Sequence, residues 1–211
     1  MRKYMAKTNE RHVLMTPCDL AQEILCDVDT DGGGWIVLQK RQTESDFDRT
    51  WDEYKKGFVS PPGDFWLGNE LIHQLTSKHI CELRIDMTYG PDNEHVYAQY
   101  SSFLVEDESH NYRLRLGSYS GTAGETSTDF GFSSNNGQSF STPDRDNSPD
   151  GGSCPDKYHL GWWRGADCDV INANLNGRFE PRGEGERPVL QWNAGHKFLG
   201  VRTVEMKIRR V

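Results

Sequence analysis

Residues 118–195 are dominated by Gly, Ser, Asn, Asp and Pro and carry few periodic apolar runs. So long an irregular stretch inside a folded chain is either functional or disordered. Trp162, Trp163, Phe179 and Trp192 interrupt it with bulky apolar side chains, and Cys154 and Cys168 are spaced to staple its loops. Disordered segments lack such groups, so the stretch is expected to fold as an ordered, loop-built functional lobe. The rest of the chain must supply the frame that holds it.

That frame reads as antiparallel sheet. Residues 12–15 and 23–28 are apolar runs separated by a polar turn at 17–22, and 35–39 is another β-rich run. Leu71, Ile72 and Leu75 fall on one helical face behind Gly68-Asn69, which predicts a short helix over 69–75. Alternation returns at 81–87, where Leu83, Ile85 and Met87 share a face, and then at 96–103, 112–116 and 201–208. With 211 residues and no linker-like division, one domain is expected. Only 35% of residues are hydrophobic, so the 6 Trp, 8 Tyr and 9 Phe must do much of the packing.

Charge and cysteine usage narrow the function. The 24 basic against 32 acidic residues give a net charge of -8, which repels nucleic acid and anionic membranes. No apolar run reaches bilayer length, so membrane insertion is not expected. Residues 1–10 are charged where a secretory leader would be apolar, so either secretion is not encoded in these residues or a leader has been removed. Cys18, Cys26, Cys81, Cys154 and Cys168 form no CxxC pair, which argues against zinc and thioredoxin chemistry and for disulfides in an oxidising compartment. Five is odd, so one thiol is free, bonded to another chain, or missing its partner. No Asn-X-Ser/Thr acceptor adds independent support for secretion.

Two segments suggest oxygen ligands. Asp27-Val28-Asp29-Thr30-Asp31-Gly32 matches the first half of an EF-hand loop, but its twelfth position is Leu38 and its flanks read as strands, so it reads as a Gly-rich turn. In residues 144–154, oxygen-bearing side chains alternate along a turn suited to one hard cation; the competing reading is a solvated acidic loop. Tyr158, His159, Trp162 and Trp163 lie between Cys154 and Cys168, so a disulfide there would hold an aromatic surface suited to stacking on sugars, unless the Trp side chains fill core space. No GxSxG elbow, HExxH helix or P-loop occurs, and the scattered His residues suggest no catalytic site. A hydrolase built on a spatial carboxylate pair stays open on spacing alone.

Cys26-Asp27, residues 30–35 (TDGGGW), 39–41 (QKR), 54–58 (YKKGF) and 65–70 (FWLGNE) resemble, in order, the pattern of the fibrinogen-like domain family. So do 83–86 (LRID), 140–142 (FST), 161–163 (GWW), 174–177 (NLNG) and 205–209 (EMKIR). The resemblance implies an α+β fold, a fibrinogen C-terminal-like domain with an N-terminal hairpin region, a central antiparallel sheet with short helices, and an irregular loop-rich C-terminal lobe. It places an N-terminal extension and the start of the first hairpin at 1–16, the recognition domain at 17–211, and a ligand and calcium lobe at about 118–200. The closest look is to the ficolin and tachylectin type and to molluscan sialic-acid-binding lectins, while other members bind proteins.

The resemblance also implies residues. Ca2+ would be held by the side chains of Asp146 and Ser148 and the backbone carbonyls of Asp150 and Gly152, weakened by Ser148 where the family has Asp unless Asp144 or Asp150 compensates. A Cys154–Cys168 disulfide is implied; for Cys26, bonds to Cys18 or involving Cys81 both stay open. An acetyl-group pocket would use Tyr158, a cis peptide between Asp167 and Cys168, and Asp169, where lectin relatives carry His. Glu186 stands in its far wall; Arg187 or Arg182 there would pair with a sialic acid carboxylate while Tyr158 and Phe198 contact the acetamido group. The expectation is a secreted, non-enzymatic, calcium-assisted lectin for sialic acid or N-acetylhexosamines in innate recognition, acting as a homo-oligomer on glycans of glycoproteins or microbial surfaces. The alternative is a protein-binding module of receptor-ligand or adhesion type.

Overall fold

Segments that alternate apolar and polar residues extend and pair, and such segments carry this fold. The computed structural model describes residues 11–15, 21–90, 92–125, 131–149, 161–165, 173–177, 190–193 and 198–211. Strands β1 (Arg11–Met15) and β2 (Ala21–Asp27) form the expected opening hairpin, with Arg11 opposite Leu25. A 3-10 turn at Thr30–Gly32 leads into β3 (Trp35–Arg41). Helix α1 (Trp51–Lys56) precedes a small hairpin of β4 (Phe58–Ser60) and β5 (Asp64–Trp66), then α2 (Asn69–Thr76). The long strands β6 (Cys81–Tyr89) and β7 (Glu94–Val105) follow, with short β8 (Leu114–Leu116) and β9 (Tyr119–Gly121). Short strands β10 (Phe140–Ser141), β11 (Trp162–Trp163), β12 (Ala173–Asn174) and β13 (Gln191–Asn193) build the loop lobe before β14 (Phe198–Arg210).

The main sheet is antiparallel in the order β1-β2-β3-β14-β6-β7-β8, with β5 beside β3, β9 beside β7 and β13 beside β14. The last strand therefore occupies the middle, pairing Met206 with Ile85 on one side and with Gln39 on the other. Its inward face meets Leu83, Ile85 and Met87, all buried as the alternation predicts. Burying each such side chain contributes roughly 1.5–3 kcal/mol of transfer free energy.

Helix α2 covers the predicted span and one residue more, with Leu71 and Ile72 buried against the sheet. Its entry turns on Gly68 at φ 107, where a Cβ would lie 2.8 Å from the backbone of Lys56 and Gly57. Helix α1 is absent from the sequence expectation, although its start carries a capping box: Thr50 Oγ1 accepts from the Glu53 amide, and Glu53 Oε2 accepts from the Thr50 amide. The box fixes the helix so that Trp51 and Tyr54 enter the core.

Cys26 and Cys81 are free thiols, which corrects the candidate bonds for both; Cys18 lies outside the described residues. Burial raises both thiols above their ordinary pKa, and Cys81 Sγ points at the Leu75 carbonyl. Both are therefore poorly reactive.

Candidate functional site

The loop lobe stands on a buried aromatic floor. In the ribbon β10–β11, Phe140 lies opposite Trp163 and Ser141 opposite Trp162. Phe132, Phe140, Trp66 and Trp163 surround one another at centroid separations of 5.1–6.1 Å. Trp162 and Trp163 are both 0% exposed, and the Trp163 Nε1 donates to the Tyr112 carbonyl at 2.7 Å. Of the two readings of these indoles, core-filling holds for both and the sugar-stacking surface does not: both face inward, because Phe132 and Phe140 close over them. Gly161 precedes them where any Cβ would enter the Tyr54 ring at 2.0 Å, so the backbone must be bare there to reach the floor.

Two polar side chains from β3 tie the lobe to the sheet. Gln39 Nε2 donates to the Leu175 carbonyl at 2.8 Å and to Asn176 Oδ1. Arg41 Nη1 donates to the Gly177 carbonyl and Nη2 to the Ser45 carbonyl at 2.9 Å, while its guanidinium lies 4.1 Å from the Phe47 ring centroid. Asn176 in turn donates to the Gly161 carbonyl at 2.8 Å. Burial pushes the Arg41 pKa down to about 10, partly offset by Tyr54, Asp64 and Asp46, so it stays charged at neutral pH. Gln39 and Arg41 appeared in the sequence only as part of a motif, with no local sign that they would reach residues 175–177.

The loop at 142–149 is held equally firmly. Thr142 and Arg145 exchange backbone hydrogen bonds of 3.0 Å, and the Asn147 side chain donates to the Phe140 carbonyl at 2.8 Å. Asp144 Oδ1 accepts from the Trp51 amide and from Thr142 Oγ1, each at 2.8 Å. Arg145 stacks 4.0 Å over Trp51 and donates to Asn111 Oδ1 at 2.7 Å. The sequence reading missed Trp51, Asn111 and Arg145, because their association depends on a helix it did not place.

At the exposed tip, Asp146 Oδ1 accepts from the Ser148 amide at 2.9 Å and from Ser148 Oγ. The two side chains expected to bind calcium are thus adjacent, one carboxylate and one hydroxyl, both hard oxygens of the kind calcium selects. Asp144 Oδ1 accepts from the α1 amide of Trp51, which ties the base of this loop to that helix. Asp150, Gly152, Cys154, Tyr158, Asp167, Cys168, Asp169, Arg182, Glu186 and Arg187 lie outside the described residues, as does the side chain of Phe198.

The EF-hand-like segment is a turn, as read. Asp27 Oδ1 accepts from the Asp29 and Thr30 amides at 2.9 Å, and Oδ2 accepts from Lys207 Nζ. Burial alone would raise the Asp27 pKa, but the Lys207 ammonium, the Thr30 hydroxyl and these amides hold it well below the usual carboxylate range. Lys207 also meets Asp86 at 2.9 Å and Glu205 at 3.0 Å, and these partners outweigh burial to raise its pKa.

A central sheet, inward aromatics and an anchored loop lobe together define a class of globular domain, and kinship gives that class its family. Residues 3–211 match the family of fibrinogen beta and gamma chains, C-terminal globular domain, and the protein belongs to that family. It is 42% identical over 189 residues to tenascin-R from Homo sapiens and from Mus musculus, which covers 89% of this chain and 13% of theirs. It thus spans only a small part of the curated relatives it matches. The fibrinogen-like globe domain of human ANGPTL2 is similar in structure at a TM-score of 0.84 and 33% identity, over 96% of this chain and 93% of that one. A lamprey fibrin D-dimer complexed with the peptide Gly-His-Arg-Pro-amide matches at a TM-score of 0.73 and 31% identity, over 90% of this chain and 65% of that one.

Proposed function

We propose that this protein is an extracellular, non-enzymatic recognition module that binds a protein partner through its loop lobe. The observation that carries this reading is the inward burial of the lobe's aromatics: Trp162, Trp163 and Trp192 are each 0% exposed. Among the described residues, the lobe therefore offers a partner polar backbone and charged side chains around 142–149, not ring faces for sugars. Kinship with a fibrin D-dimer that holds a peptide ligand supports the same reading. The extracellular, non-enzymatic assignment rests on kinship with fibrinogen, tenascin-R and ANGPTL2 domains.

Calcium belongs to the proposal. Asp146 and Ser148, with the carbonyls of Asp150 and Gly152, would hold it and stiffen the loop tip. Glycan binding is the second reading, with sialic acid or N-acetylhexosamine held by Tyr158, Asp167, Cys168, Asp169, Glu186, Arg187 and Phe198. The anchoring of 173–177 by β3 and of 190–193 by β14 favours it, because both ends of the segment bearing Glu186 and Arg187 are fixed. Either ligand is bound more strongly by several copies on one surface, which is the case for a homo-oligomer.

Binding of the fluorescently labelled protein to a target cell surface separates the two readings. Protease treatment of the surface is expected to abolish binding, while sialidase, millimolar N-acetylneuraminic acid and millimolar N-acetylglucosamine leave it intact. Loss on sialidase treatment or sugar competition would transfer the assignment to the glycan reading. Chelation should weaken binding, and recovery with Ca2+ but not Mg2+ would fit the proposed ligands.

A further inference from the structure

The turn at residues 107–111 has a second face, turned away from the 142–149 loop. A shallow cleft of about 540 Å³ opens there, floored by Leu104 of β7 and flanked by His73 of α2 and by Arg113 and Arg115 at β8. Glu106, Asp107 and His110 complete its rim.

Most of its polar groups satisfy one another. Arg115 Nε donates to Glu106 Oε1 at 2.7 Å, and the Asp107 carboxylate accepts from Ser109 Oγ at 2.6 Å and from His110 Nδ1 at 2.8 Å. His73 Nδ1 donates to the Val105 carbonyl at 2.8 Å, which places its proton on that nitrogen. Arg113 differs: it is half-buried, and its guanidinium has no hydrogen-bond or ion-pair partner among the described residues. A guanidinium offers five donors in a rigid fork that matches a carboxylate. A carboxylate answers the open guanidinium fork of Arg113, and Leu104 supplies an apolar contact beside it.

We infer that the cleft docks an acidic side chain of an extended peptide segment, with Arg113 receiving the carboxylate and Leu104 the methylenes beside it. The inference goes beyond the loop-lobe reading: it adds a second, peptide-binding face outside the lobe. Its test uses short peptides and maps where they bind, so its failure leaves the cell-surface result untouched, and the reverse also holds.

The measurement is a ¹H–¹⁵N NMR titration of the full-length protein with four probes: N-acetyl-Gly-Glu-Leu-amide, its Gln counterpart, N-acetyl-Gly-Leu with a free carboxylate, and N-acetylneuraminic acid. The Glu peptide is expected to shift the Leu104 and Arg113 amides and to bind about 10-fold tighter than the Gln peptide. Arg113→Gln should erase that preference, and Arg113→Lys should keep part of it, since the charge remains without the fork. Retained β7 and β8 amide dispersion in both variants separates lost binding from lost folding. Equal binding of the Glu and Gln peptides, shifts that map elsewhere, or a preference for N-acetylneuraminic acid overturns the proposal. Tighter binding of the free-carboxylate dipeptide overturns the side-chain assignment in favour of a peptide terminus.

Discussion

Lys207 and Arg41 are 2% and 0% exposed, yet these two of the buried cations are compensated in opposite ways. Lys207 meets three carboxylates, from the end of β2, from β6 and from its own strand. Arg41 meets neutral carbonyls and an aromatic face, and no carboxylate touches it directly among the described residues. The first arrangement locks strands of the one sheet together through charge. The second spends a charged fork on holding irregular backbone, which is what a loop lobe without long strands requires. A buried ion is strongly destabilising when its partner alone is removed, whereas a buried carbonyl deprived of its donor costs less.

That contrast can be broken by substitution. Lys207→Met leaves Asp27 buried without its cation and should cost about 3–5 kcal/mol in denaturant unfolding. Adding Asp27→Asn should recover part of the loss, with a coupling of roughly 1–3 kcal/mol; strict additivity would show that the two do not act as a pair. Arg41→Met should cost less, about 2–3 kcal/mol. Its signature is local: hydrogen exchange should accelerate at 173–177 while β6 and β14 stay protected.

The pH response sharpens the same comparison. Asp27 has a lowered folded-state pKa, so its contribution is present above the unfolded value near pH 3.9 and fades as pH falls through the folded one. Lys207 has a raised pKa, so its contribution is present below about 10.4 and is lost as pH rises through the folded value. Arg41 runs the other way, because its folded pKa is depressed: its burial is a standing cost at neutral pH that eases only above about 10. Lys207→Met should therefore flatten the acid limb of a stability-pH profile, and Arg41→Met should leave that limb unchanged. The smallest expected effect is at the loop. Asp144→Ala removes an acceptor for the first α1 amide and should cost about 1 kcal/mol in thermal unfolding.

Much of the frame was legible because it rests on local alternation. The spacing of Leu83, Ile85 and Met87 predicts the inward face of β6, and Leu71 and Ile72 predict that of α2. Helix α1 was equally legible in principle, since Thr50 and Glu53 spell its capping box. The site was less so. Whether Trp162 faces solvent or core depends on Phe132, brought near only by folding, and the reach of Arg41 to Gly177 spans most of the sequence. Spacing near Cys154 and Cys168 shows which residues are neighbours in sequence, but not which side of them is covered.

The central seat of β14 also dictates the order in which the protein can come into being. On a ribosome, β1–β3 and β6–β8 emerge as two half-sheets whose facing edges, β3 and β6, have no strand between them until residues 198–210 are made. Throughout synthesis those two open edges are templates for pairing with a neighbouring nascent polypeptide. The late-arriving strand closes both at once, so the two half-sheets become one sheet in a single event.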